Sequence, residues 1–217
     1  MINQDFKKRV TINSEEETWY KSTSDGVERL YLERDGGGES AIATTIVRFA
    51  PKSKFDWHMH SGGEEFLVLE GVFSDEFGSY LKGTYVRNPK GTGHNPYSNF
   101  GCVLFVKLRQ FQKNDDKKVI IDTNKTSWLP GVVDGLLVMP LHHFNTEHVA
   151  LVKWKPNTIF NLHQHWGGEE ILVLDGVFYD EFGAYPKGSW LRSPHLSQHT
   201  PFTKDEGALI FVKTGHL

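Results

Sequence analysis

Two histidines separated by one residue, with a glutamate four positions further on, occur twice in this chain. The phrase WHMHSGGEEFLVLEG begins at residue 57, and LHQHWGGEEILVLDG begins at residue 162. Because side chains alternate along a β-strand, His58 and His60 are expected to point to the same side of one strand. Both imidazoles could then reach a single ion, and one of the carboxylates of Glu64 and Glu65 could join them.

A later turn offers a third imidazole, at His94. Three imidazoles and a carboxylate form a ligand set for first-row transition metals such as zinc, iron, copper or nickel. The same residue types recur at the same spacing in the second phrase, as His163, His165, one of Glu169 and Glu170, and His199. This repetition favours metal binding over the alternative of a polar core without metal.

The repeat extends well beyond the histidines. Residues 57–96 are identical to residues 162–201 at 23 of 40 positions, and GCVLFVK later corresponds to GALIFVK. The sequence therefore predicts two copies of one domain, residues 1–112 and 113–217, with the polar stretch RQFQKNDDKK as their linker. The other histidines have no counterpart in the other copy and are expected on the surface or in loops: His142, His143, His148, His195 and His216.

Each copy has the sequence pattern of an all-β domain. The runs IATTIVRF, EEFLVLEGVF, GTYVRNP and GCVLFVKL are short and apolar or alternating, and Gly, Pro, Asp and Asn separate them. No segment keeps a helical apolar period over the length of a helix. Many short strands within about 100 residues predict a sandwich or a small barrel.

Composition narrows the class of protein. The formal net charge is −3 and the pI is near 6.4, which gives no electrostatic reason to expect a nucleic-acid partner. No 18-residue apolar run and no signal-peptide pattern are present, so no membrane association and a cytoplasmic location are expected. The single cysteine, Cys102, lies in an apolar run and is expected to be a small buried side chain.

The two phrases resemble the cupin motifs. HxHxxxE followed by Gly after six intervening residues is similar to the first motif, and GTYVRNPKGTGH is similar to the second, Gly-x5-Pro-x-Gly-x2-His. The resemblance implies a bicupin, with two tandem double-stranded β-helix (jelly roll) barrels and one divalent transition metal per domain. The implied metal ligands are His58, His60, Glu64 and His94 in the first copy, and His163, His165, Glu169 and His199 in the second.

The longer wording HxHxGGEExLVLxGVFxDEFGxYxKG resembles the cupin-like domain of ChrR-type anti-sigma factors. This resemblance implies a zinc-binding sensor or regulatory protein that responds to a small ligand or an oxidant. The family's sigma-binding module is helical and uses a His-x3-Cys-x2-Cys zinc site. This chain has one cysteine and no such motif, so binding of a sigma factor is not expected.

The same cupin branch resembles acetylacetone-cleaving dioxygenases, which implies a second hypothesis of a different class. In that hypothesis the chain is a non-haem metal-dependent dioxygenase that cleaves a β-dicarbonyl or hydroxyketone. Zinc is the first expectation for the ion, iron the next, and nickel or manganese are further candidates. A homodimer is compatible with either hypothesis.

Matched residues could shape the surroundings of each site. Aromatic and apolar side chains could line a cavity or simply form the barrel core: Phe55, Phe66, Phe73, Tyr85 and Tyr97 in the first copy, and Phe160, Ile171, Phe178, Trp190 and Phe202 in the second. Polar pairs could orient the ligands: Glu65 and Glu170, Asp75 and Asp180, Glu76 and Glu181, Tyr80 and Tyr185, and Arg87 and Arg192. The segment from Asp75 to Gly78 is expected to be a solvated turn.

Overall fold

A computed structural model describes residues 1–37 and 41–217 of the chain. Within this described part every regular element is a β-strand, and the paired strands are antiparallel, which confirms the predicted all-β class. No helix of the described residues is long and apolar enough to cross a membrane. The chain forms two compact units, and each consists of two segments.

Unit 1 consists of Met1–Gln4 and Thr18–Thr126. Its strands are β2 (Tyr20–Lys21), β3 (Val27–Asp35), β4 (Ile42–Phe49), β5 (Ser53–Lys54), β6 (His58–Met59), β7 (Glu64–Asp75), β8 (Gly78–Leu81), β9 (Thr84–Asn88), β10 (Gly93–His94), β11 (Tyr97–Ser98), β12 (Cys102–Leu108) and β13 (Val119–Asp122). The main sheet has the order β13-β9-β7-β12-β4-β3-β2, and β6 and β10 form a separate pair.

Unit 2 consists of Asp5–Glu17 and Ser127–Leu217. Its strands are β1 (Val10–Asn13), β14 (Leu129–Pro130), β15 (Leu136–Phe144), β16 (Glu147–Trp154), β17 (His163–Gln164), β18 (Glu169–Asp180), β19 (Gly183–Pro186), β20 (Ser189–Ser193), β21 (Gln198–His199) and β22 (Ala208–Thr214). The main sheet has the equivalent order β1-β20-β18-β22-β16-β15-β14, and β17 and β21 form a separate pair.

The first strand of each repeat completes the sheet of the other unit. β1, with the sequence VTIN, comes from the first repeat and pairs with β20 of unit 2. β13, with the sequence VIID, pairs with β9 of unit 1 although it follows the predicted boundary at residue 112. The compact units therefore differ from two contiguous segments by the exchange of one edge strand each.

The predicted linker is packed against unit 1. The ring of Phe111 lies 4.1 Å from the guanidinium carbon of Arg87, and Asp115 is buried and forms an ion pair with the same arginine. Gly63 has a φ of 83°, and a Cβ atom there would lie 2.4 Å from the Phe111 ring. The Gly-Gly turn before β7 is therefore tight because this segment passes directly beside it.

The long strands β7 and β18 bend at a glycine. Gly71 has a φ of 71°, and a Cβ atom there would lie 2.1 Å from the carbonyl oxygen of Gly101. Gly176 in unit 2 has a φ of 69° and the same close approach to the Gly207 carbonyl oxygen. Before the bend, β7 begins with the candidate ligand Glu64 and β18 with Glu169. After the bend, the two strands end with the buried aspartates Asp75 and Asp180. The bend thus brings both ends of one strand to the same site.

Candidate metal centres

The first centre consists of His58, His60, Glu64 and His94, whose ligand atoms all lie within 4.8 Å of one another. His94 on β10 lies directly opposite His58 on β6, and Glu64 begins β7. The Oε2 atom of Glu64 is 3.3 Å from Nε2 of His60 and 3.5 Å from Nε2 of His94. The structure therefore brings together the four predicted residues of the first copy.

Glu65 points to a different part of unit 1. Its carboxylate accepts hydrogen bonds from Tyr85 at 2.9 Å and from Arg87 at 2.8 Å, and Arg87 also contacts Asp115. Of the two adjacent glutamates, only Glu64 lies with the histidines. Glu65 and Arg87, both predicted to orient the ligands, form an ion pair with each other between β7 and β9.

Hydrogen bonds fix the tautomer of the three imidazoles in the first centre. Nδ1 of His58 donates to a backbone carbonyl at 3.1 Å, and Nδ1 of His94 donates to the Asp75 carboxylate at 3.0 Å. Nδ1 of His60 is 2.9 Å from the hydroxyl of Thr92. Because that hydroxyl donates its own proton to the carbonyl of Pro89, Nδ1 of His60 is the donor to Thr92. With Nδ1 protonated, each imidazole presents the lone pair of Nε2 to the centre.

The buried nitrogens of the first centre fit a metal ion. Nε2 of His60 and Nε2 of His94 are buried and have no hydrogen-bond partner among the residues that the structure describes. Burial lowers the pKa of His60, and this keeps its imidazole in the neutral form that a metal requires. A cation between these nitrogens and the Glu64 carboxylate would satisfy all three groups.

Asp75 orients the third imidazole of the first centre. It is buried, and its carboxylate also accepts hydrogen bonds from the Phe77 amide at 2.9 Å and from the Tyr80 hydroxyl at 3.2 Å. Burial alone raises the pKa of Asp75, but the hydrogen bonds from His94, Phe77 and Tyr80 lower it below its ordinary value. The predicted solvated turn is therefore wrong at Asp75, whereas Phe77 and Gly78 are exposed.

The second centre, His163, His165, Glu169 and His199, has the same arrangement in unit 2. Nδ1 of His163 donates to a backbone carbonyl at 3.0 Å, and Nδ1 of His199 donates to Asp180 at 3.2 Å. Burial lowers the pKa of His165 to about 3. Its Nε2 atom lies 3.0 Å from Nε2 of His163, a contact between two acceptors that an intervening cation would stabilise.

The aspartate of the second centre has an additional cationic partner. Arg9, from the exchanged segment of unit 2, forms an ion pair with Asp180 and donates to the Tyr185 hydroxyl at 3.0 Å. Tyr185 in turn donates to Asp180 at 2.7 Å, and burial raises the pKa of this tyrosine to about 12. Sequence comparison of the repeats misses Arg9 because the equivalent residue in unit 1 is Lys118. Both cations lie over the equivalent phenylalanine ring, Phe182 or Phe77, and Arg9 also reaches the aspartate of its own unit.

Each centre opens into a cavity of its own unit. The first cavity has a volume of about 390 Å³, and His58, His60, Glu64 and His94 all contribute to its wall. The second cavity has a volume of about 440 Å³, and its wall includes His163, Glu169 and His199. The predicted residues Phe55 and Phe73 line the first cavity, and Phe160, Ile171 and Phe178 line the second.

The other side chains predicted as cavity lining have different roles. The Tyr85 hydroxyl and the Trp190 indole each donate to a buried glutamate, Glu65 and Glu170 respectively. Phe66 is part of the core cluster of unit 1. Tyr97 is partly exposed, and Phe202 stacks on Tyr179 at 5.3 Å between ring centroids.

The prediction for the five histidines without a counterpart in the other repeat holds only in part. The imidazoles of His143 and His148 stack at 4.4 Å, and His195 accepts a hydrogen bond from the Gly167 amide at 2.8 Å. His142 is buried, and the His216 side chain is only 3% exposed and lies 3.2 Å from Glu170. The prediction is therefore wrong for His142, which is buried on β15, whereas His216 follows the last strand, β22, and lies in a loop as predicted.

Solved structures share the fold over nearly the whole chain. A Nostoc punctiforme protein with the provisional name dioxygenase has a TM-score of 0.79 at 15% identity, covering 97% of this chain and 84% of that one. An oxalate decarboxylase from Lactobacillus farciminis, in complex with formate, has a TM-score of 0.66 at 13% identity, covering 96% and 86%. A cupin 2 conserved barrel domain protein from Leptotrichia buccalis has a TM-score of 0.63 at 11% identity, covering 99% of both chains.

Comparison with curated protein sequences gives no significant match. The family model of the ChrR cupin-like domain matches the chain twice, at residues 7–112 and 116–217. These two matches confirm the predicted tandem cupin repeats and leave few residues of the chain outside them. The chain therefore belongs to the ChrR cupin-like family and carries two copies of that domain.

Proposed function

We propose that the chain is a divalent-metal-dependent dioxygenase that acts on small oxygen-chelating molecules such as β-dicarbonyl or hydroxyketone compounds. The observation that carries this proposal is that both candidate centres form part of a cavity wall. A structural zinc site is closed by four protein ligands, whereas a catalytic site keeps a position open for a substrate or water. The cavities provide space for such an exogenous ligand at each centre.

When bound, the metal would supply a Lewis acid and a template for the substrate and O₂. The first cavity also has an apolar wall that includes Phe49, Phe73 and Leu104, and this wall would exclude water from the bound substrate. Cleavage of a carbon–carbon bond by one O₂ places both oxygen atoms in the two products, so no further reductant is needed. Iron is the ion that suits this activity, with nickel or manganese as further candidates.

The family match favours a second candidate function, a sensor or regulatory protein that binds zinc and responds to a small ligand or an oxidant. Under this candidate the same cavities would hold the signal molecule and no turnover would occur. The nitrogen-rich ligand sets suit zinc as well as iron. The two candidates therefore share the metal centres and differ in the ion and in turnover.

The deciding experiment combines metal analysis with oxygen consumption. The full chain is purified without added metal, analysed for bound elements, and then loaded separately with iron and zinc. We expect about two ions per chain, and oxygen uptake by the iron form with acetylacetone as the probe. Zinc bound at both centres without uptake under any loading would support the sensor candidate, and failure to bind any metal would overturn both.

A further inference from the structure

The two cavities differ in the charge of their walls. Four basic side chains line the first cavity, at Lys21, Arg29, Arg34 and Arg109. Among the described residues, the wall of the second cavity contains no lysine or arginine. Apart from the candidate ligands, its side chains are aliphatic or aromatic, with one hydroxyl at Thr214.

Strand register shows that this difference is a substitution at equivalent positions. Arg29 on β3 lies opposite Val47 on β4, and Val138 on β15 lies opposite Val152 on β16. All four side chains line their cavities. Directly opposed residues of an antiparallel pair project to the same face of the sheet, so the same inward position holds a guanidinium in unit 1 and an isopropyl group in unit 2.

A second position shows the same substitution. Lys21 on β2 lies opposite Glu28, and Pro130 on β14 lies opposite Leu137. Lys21 and Pro130 each line the cavity of their own unit. The basic character of the first cavity is therefore built into the two outermost strands of its sheet, β2 and β3, whose counterparts in unit 2 are apolar at these places.

Arg29 is close to the first centre and lacks a polar partner among the described residues. Its guanidinium carbon lies 5.4 Å from the centroid of the Phe55 ring, and that ring lies 5.6 Å from the ring of His58. Burial lowers the pKa of Arg29 from its ordinary value, against the opposing effects of Tyr31 and Glu64. A half-buried guanidinium without an ion pair or hydrogen bond costs free energy that an anionic ligand would offset.

From this arrangement we propose that the first cavity binds a small molecule with a carboxylate group and an apolar body, and that Arg29 pairs with that carboxylate. Arginine binds carboxylates through two parallel hydrogen bonds, which gives orientation as well as affinity. The apolar wall next to Arg29, which includes Val47, would contact the body of the ligand. The second cavity takes an uncharged, apolar ligand, because the described residues of its wall include no lysine or arginine.

This inference rests on the proposed function, since it assigns the ligand class of the same metal-bearing cavities. It assigns a different ligand to each repeat: the two metal centres have the same ligand types, but the cavities beside them would bind molecules of different charge. Arg29 is a specificity-determining residue in this scheme and not a metal ligand. Its equivalent, Val138, provides a matched control at the same structural position.

The test measures binding of benzoate and of its neutral isostere benzamide to the metal-loaded full chain by isothermal titration calorimetry. We expect the wild-type chain to bind benzoate at one site, and Arg29→Val and Arg29→Gln to weaken that binding at least about tenfold. Val138→Ala should leave benzoate binding unchanged. Benzamide binding should respond little to either Arg29 variant, and each sample is analysed for metal content and thermal unfolding.

The inference is overturned if benzoate binds equally to wild type and both Arg29 variants, as it would if its carboxylate bound only to the metal. It is also overturned if Val138→Ala weakens benzoate binding as much as the Arg29 variants do. Metal at both centres with Arg29-independent binding would leave the proposed function intact. Arg29-dependent benzoate binding by a chain that takes up no metal would support the carboxylate site and overturn the proposed function.

Discussion

The first and second centres have the same four ligand types and nearly the same hydrogen bonds to them, whereas the cavities beside them differ in charge. In both units a buried aspartate holds the last histidine, and a tyrosine holds that aspartate. Arg29 lines one cavity where Val138 lines the other. Under the proposed function, the ligand set would decide which ion binds at each centre, and the cavity wall would decide which molecule can approach that ion.

The largest expected effect comes from removing one ligand from one unit. His94→Ala should abolish metal binding at the first centre and leave the second loaded, and His199→Ala should do the reverse, because each ligand set lies within one unit. Elemental analysis should then find about one ion per chain for either variant and none for the double variant. Loss of both ions from a single substitution, in a chain that remains folded, would contradict the independence of the centres.

A smaller effect is expected from the aspartates that orient the histidines. Asp75→Asn and Asp180→Asn should each weaken metal affinity at their own centre by about 10- to 100-fold, because the imidazole loses its carboxylate acceptor. Competition with a chromophoric chelator measures the two affinities. Unchanged affinity in both variants would show that these aspartates serve folding alone.

Arg9 and Lys118 test the asymmetry between the aspartates. Arg9→Ala should lower the free energy of unfolding by about 1–2 kcal/mol, since Arg9 bonds a buried carboxylate and a tyrosine hydroxyl. Lys118→Ala should change the free energy by less than about 0.5 kcal/mol, because Lys118 is exposed and lies over the ring of Phe77, which is exposed as well. Urea unfolding of the metal-free chain compares the two, and equal losses would contradict a special role for Arg9.

The smallest effect is expected from the tyrosines. Tyr185→Phe removes a hydroxyl that donates to Asp180 at 2.7 Å and accepts from Arg9, and should cost about 1 kcal/mol. Tyr80→Phe removes a longer hydrogen bond of 3.2 Å to Asp75 and should cost less. The reverse order in thermal unfolding would show that the network of the second centre is not the stronger one.

The sequence predicts which residues cluster at each candidate centre because much of the information is local. His58, His60 and Glu64 lie within seven positions, and strand alternation with one tight turn is enough to bring them together. The repeat then supplies an independent second copy. The same reasoning fails at Asp75, because a turn sequence does not reveal that its first carboxylate points back into the barrel toward His94.

The charge of the cavity walls and the exchange of edge strands cannot be predicted from such local sequence patterns. Arg29 and Val138 correspond in sequence, since each lies three positions after the glycine of a shared Asp-Gly pair, but only strand register and the cavity lining show that both face inward. The segment around Phe111 has the composition of a linker, but Phe111 lies against the Arg87 guanidinium, and Asp115 is buried in an ion pair with the same arginine. Such contacts depend on residues distant in the chain and leave no periodic pattern.

The exchange of β1 and β13 has a consequence for any attempt to divide the gene. A fragment ending at residue 112 would lack the partner that covers β9, and a fragment beginning at residue 113 would lack the partner that covers β20. Each product would expose an open sheet edge, which is the usual starting point for aggregation. To produce one unit alone, the chain would therefore have to be rearranged so that each half carries the first strand of the other repeat.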